Sequence, residues 1–176
     1  MLEIRIVGPQ FGEPWVIMKW LARKYQAALR TRGVADHDGL LEVEGTDLGA
    51  PFRVLASKPA ISNRAAVYNE MFSRADAVLI VFTRISSLVH LNAKEYAALA
   101  PYLQAALPER FMVANDARCG ELPTVTGAVV AKELEVRLRE TTVGPFADDL
   151  LRDDGIAEVW TDLLGAARLR AAGAAR

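Results

Sequence analysis

Between its first apolar strand and its first helix the chain reads Gly8-Pro-Gln-Phe-Gly12-Glu13-Pro14-Trp15, a loop bracketed by glycines. Loops of this kind bind phosphate, because glycines let backbone N–H groups face the anion and the following helix N-terminus adds a favourable partial charge. Holding a polyphosphate takes more: Gly-x-x-x-x-Gly-Lys-Ser/Thr, with the lysine neutralising the outer phosphates and the hydroxyl binding Mg²⁺. Counted from Gly8, the last three positions are Glu13, Pro14 and Trp15; with Gly12 as the second glycine, Glu13 stands for the lysine and Pro14 for the hydroxyl. Neither register supplies a cation or a metal ligand. A carboxylate there repels polyphosphate, and a proline removes an N–H donor. Glu13 has two readings, a built-in anion that satisfies the free N–H groups of the helix, contributing about 0.3–1 kcal/mol, or an exposed loop acid.

Other reactive residues form no chemical arrangement. Asp36-His37-Asp38 are adjacent and lack distant partners, His90 being the only other histidine, so a solvated loop is the simpler account. Asp148, Asp149, Asp153 and Asp154 lack Ca²⁺-loop spacing and read as a polar loop with a helix cap. Cys119 is the single cysteine, which excludes an internal disulfide and fits a reducing cytoplasm. Ser57 and Lys58 match no hydrolase pattern. No catalytic residue and no metal site are assigned.

The elements that position these residues follow from periodicity. Leu2, Ile4 and Ile6 alternate with Glu3 and Arg5, a strand; Trp15 to Arg30 carries apolar residues at helical spacing, with Trp15 and Trp20 in core or interface roles. After the polar segment Thr31–Gly39, the runs Leu41–Glu44 and Phe52–Leu55 flank Gly45–Pro51, an antiparallel hairpin. A helix follows around Val67–Phe72, and Asp76–Phe82 is the apolar run of a strand buried on both faces. Then come a helix from Asn92 to before Pro108, a strand Phe111–Ala114, a helix from about Thr126 to Leu134, a strand around Val136–Glu140, an acidic loop Gly144–Asp154, and a last helix Ile156 to about Ala172. This order predicts an α/β fold: a mostly parallel, six-stranded, doubly wound sheet with one antiparallel hairpin strand and helices on both faces.

At 176 residues and 52% apolar composition the chain forms one domain, residues 1–172, with a short tail, 173–176. The 21 basic and 22 acidic residues are scattered, so no face is marked for nucleic acid or anionic lipid. The longest uncharged run, Tyr96–Pro108, contains prolines and is too short to span a bilayer. Arginine outnumbers lysine and alanine is abundant, the composition of a GC-rich, bacterial coding source.

The element order resembles the Ras-like small GTPases over residues 2 to 170. Gly8 begins the phosphate-loop position, and the hairpin Leu41–Val54 looks like the family's second and third strands. Ser57-Lys-Pro-Ala60 lies at the Asp-x-x-Gly position, with Ser57 for the aspartate and Ala60 for the glycine. Val113-Ala-Asn115-Asp-Ala-Arg118 is similar to the Asn-Lys-x-Asp segment; Asn115 is kept, but Asp116 replaces the lysine and Arg118 the guanine-reading aspartate, and an arginine cannot accept the guanine protons. Glu140-Thr141-Thr142 resembles the Glu-Thr-Ser-Ala turn beside the base.

The resemblance implies a three-layer P-loop GTPase-like fold with a vestigial nucleotide site at Gly8, Gly12, Glu13, Asn115 and Thr141. It implies a pseudo-GTPase that works through protein partners and expects no cofactor. The family's partner faces map onto Asp36 and His37 in the loop, Val43 and Phe52 in the hairpin, and Asn63 and Tyr68 in the segment after it. A roadblock/longin-type regulator or another small GTPase is the partner class implied, with no nucleic acid and no membrane span. Two alternatives stand beside this reading: a divergent switch that holds GTP or GDP through backbone contacts of Gly8–Gly12, and an enzyme of another class on a doubly wound sheet.

Overall fold

The computed structural model describes residues 1–7, 14–32, 40–57, 75–83, 109–115, 137–144 and 152–174. Within them the order is β1 (Leu2–Val7), α1 (Pro14–Lys24), β2 (Arg30–Arg32), β3 (Leu40–Asp47), β4 (Ala50–Ser57), β5 (Ala77–Thr83), β6 (Glu109–Asn115), β7 (Arg137–Gly144), β8 (Arg152–Asp154) and α2 (Ile156–Ala174). The fold is α/β, and its mixed sheet runs β2-β3-β4-β1-β5-β6-β7-β8. Five parallel strands, β4-β1-β5-β6-β7, make its centre. Antiparallel pairs close both ends, β2-β3-β4 on one side and β7-β8 on the other.

The expected hairpin and the strands after it are present, and two short strands correct the expectation of six. Arg30–Arg32, assigned by periodicity to the end of a helix and the start of a loop, is instead an edge strand against β3. Arg152–Asp154, read as acidic loop, pairs with Thr142–Gly144. Three-residue edge strands carry too few alternations to be seen in a sequence. The expected helices around Val67–Phe72, Asn92–Pro108 and Thr126–Leu134 lie outside the described residues.

Helix α1 stops six residues before the expected Arg30 because Gln26 adopts a left-handed conformation, φ 50°. The amide of Ala27 donates to the Ala22 carbonyl at 2.8 Å and that of Gln26 to the Arg23 carbonyl at 3.2 Å, a Schellman closure with glutamine where glycine is usual. Ala22 and Ala27 both pack against the core, completing it.

One hydrophobic core lies on one face of the sheet. Leu2, Ile4 and Ile6 of β1, Phe52, Val54 and Ala56 of β4, and Ala77, Leu79 and Val81 of β5 meet Val16, Ile17, Trp20 and Leu21 of α1 and Val159, Trp160, Leu163 and Leu164 of α2. The opposite face is buried as well: Val7, Val78 and Ile80 are fully inside. Arg5, which alternation places toward water, is 5% exposed for the same reason. Among the described residues no helix is long and apolar enough to cross a membrane.

At the amino-terminal ends of the parallel strands an aromatic and polar clamp joins both helices to the hairpin. Tyr25, Phe52 and Trp160 meet edge to face, with centroids 4.8 to 6.4 Å apart. The Phe52 ring leans across Gly45, where an added Cβ would lie 2.6 Å from it. Trp160 Nε1 donates to the Tyr25 hydroxyl at 2.7 Å, and that hydroxyl donates to Asp47 Oδ1 at 3.1 Å. Arg168 Nη2 donates to Asp47 Oδ2 and to its carbonyl, at 2.9 and 2.7 Å. The hairpin then turns through Leu48 and Gly49, φ 47° and 78°, a two-residue loop with both central residues left-handed.

Two outcomes follow for stability. Gln26→Gly removes the cost of the left-handed glutamine and raises the unfolding free energy by about 0.5–1 kcal/mol in denaturant titration. Burial pushes the Tyr25 hydroxyl up to about 12 from its usual 10; donation from Trp160 opposes the rise, and Asp47 adds to it. The unfolded chain therefore releases this proton first, so stability falls as pH climbs from about 10 through about 12. Tyr25→Phe costs about 1–2 kcal/mol at neutral pH, from the lost partners of Trp160 and Asp47, and shows a smaller alkaline loss than the parent chain.

Candidate functional site

The parallel strands divide at β1, which pairs with β4 on one side and β5 on the other. From β1 the chain moves through α1 to β4 and β3 on one side, then crosses to β5, β6 and β7 on the other. β1 ends at Val7, in register with Ile80 of β5. The six residues between β1 and α1, which include Gly8, Gly12 and Glu13, lie outside the described residues, as do Asp36, His37, Asn63 and Tyr68.

α1 starts at Pro14 and its first turn, Pro14-Trp15-Val16-Ile17, is wholly apolar. Pro14, Val16 and Ile17 are buried, and Trp15 is half-buried with the Lys19 ammonium 4.5 Å from its ring centroid. Proline at the first helical position is locally favourable, because its missing N–H would have had no partner inside the helix. The same choice withdraws one N–H donor from the helix N-terminus.

On the β5 side of β1 the register of the sheet aligns three polar residues. Thr83, the last residue of β5, is in register with Asn115, the last of β6, and Asn115 is in register with Thr141 of β7. Thr141 is 2% exposed. Sequence reasoning named Asn115 and Thr141 from separate motifs, and the register joins them in one row. Thr83 was missed because the apolar run ends at Phe82, and a threonine closing such a run carries no signal of its own.

Val43 and Phe52 are corrected as partner-contact residues. They are 0% and 1% exposed, since their strand positions face the core shared by both helices, and their side chains support the hairpin from inside.

A second candidate is the charged set on the opposite face. Glu3 lies between two guanidinium groups, paired with Arg53 and with Arg5, the latter at 3.1 Å. Asp76 joins it to β5: the Glu3 amide donates to Asp76 Oδ2 at 2.8 Å and the Asp76 amide donates to the Glu3 carbonyl at 2.7 Å. Its chemistry is structural, with cations neutralised where the sheet is covered. Among the described residues no group of three or more His, Cys, Asp or Glu is placed to hold a metal ion.

Comparison with known proteins finds no family model that matches the chain and no curated protein whose sequence matches it significantly.

The charged set makes a definite expectation. Glu3→Ala removes the carboxylate that pairs with both Arg5 and Arg53 and lowers stability by about 1–3 kcal/mol in chemical unfolding, whereas Arg30→Ala, which removes an exposed 3.8 Å pair with Glu44, changes it by less than about 0.5 kcal/mol.

Proposed function

We propose that the chain is a small GTPase-like protein that has lost effective GTP binding and hydrolysis and acts as a regulatory or scaffolding protein-interaction module. The observation that carries the reading is the first turn of α1. It follows β1, where the parallel strands divide, and offers a buried proline and apolar side chains where a phosphate-binding helix needs a lysine and a hydroxyl. The order β3-β4-β1-β5-β6-β7, with the hairpin beside the first strand and three parallel strands beyond it, supports the Ras-like resemblance. The row Thr83-Asn115-Thr141 supports a retained base-side wall without its charged readers. Loss of nucleotide chemistry on a retained scaffold leaves surface recognition as the activity, with a protein of the roadblock/longin type or another small GTPase as the partner class.

Fluorescent GTP, GDP and ATP, titrated with and without Mg²⁺, test the reading. The expected result is no saturable binding in the micromolar range; saturable micromolar binding of a guanine nucleotide would instead establish the divergent switch. Installing Glu13→Lys with Pro14→Ser leaves GTP hydrolysis at background, because Ser57 and Arg118 still stand where the metal-associated and guanine-reading carboxylates are needed. Turnover by that double variant would refute the claim that the motifs fail independently.

A further inference from the structure

We draw no further inference here: the strongest candidate, the surface patch of exposed apolar side chains formed by Leu48 at the apex of the β3–β4 hairpin and Leu169 on α2, carries nothing, because nothing in the structure shows what covers it.

Discussion

β1 is hydrogen-bonded on both sides and buried on both faces, and the rest of the molecule depends on that constraint. Both faces of the strand are buried, so even Arg5 is drawn inside, where Glu3 pairs with it. The requirement extends outward. Glu3 in turn engages Arg53 and Asp76, which ties β4 and the start of β5 to the first strand at the level where the core begins. The apolar side of the same strand supplies the floor on which α1 and α2 rest together.

The two ends of the strands then serve different purposes. At the amino-terminal end Tyr25, Asp47, Trp160 and Arg168 form a chain of hydrogen bonds that joins the two helices to the hairpin. At the carboxyl end of β1 the chain passes to α1, which begins with proline and apolar residues. A fold that keeps its scaffold and withdraws the groups facing its ligand is the physical content of the pseudo-GTPase proposal.

Much of this was legible in the sequence, for identifiable reasons. β5 was readable because a strand buried on both faces must be continuously apolar, and the β3–β4 hairpin because two alternating runs flank a turn-rich link. The helix end at Lys24 was not readable: the apolar periodicity runs on through Ala28 and Leu29, and what stops the helix is a left-handed glutamine stabilised by a tertiary contact of Ala27. Val43 and Phe52 were assigned to a partner face by position in a family pattern, which carries no information about which side of a strand faces the core. Asn115 and Thr141 were found singly, but their shared row with Thr83 is a matter of strand register between segments distant in sequence, and no local pattern encodes it.

The most direct measurement of the central claim is the nucleotide content of the folded protein as purified, read by native mass spectrometry and by chromatography of the supernatant after denaturation. The account expects the mass of the bare chain and no released guanine nucleotide. A stoichiometric GDP or GTP, carried through purification, would contradict it.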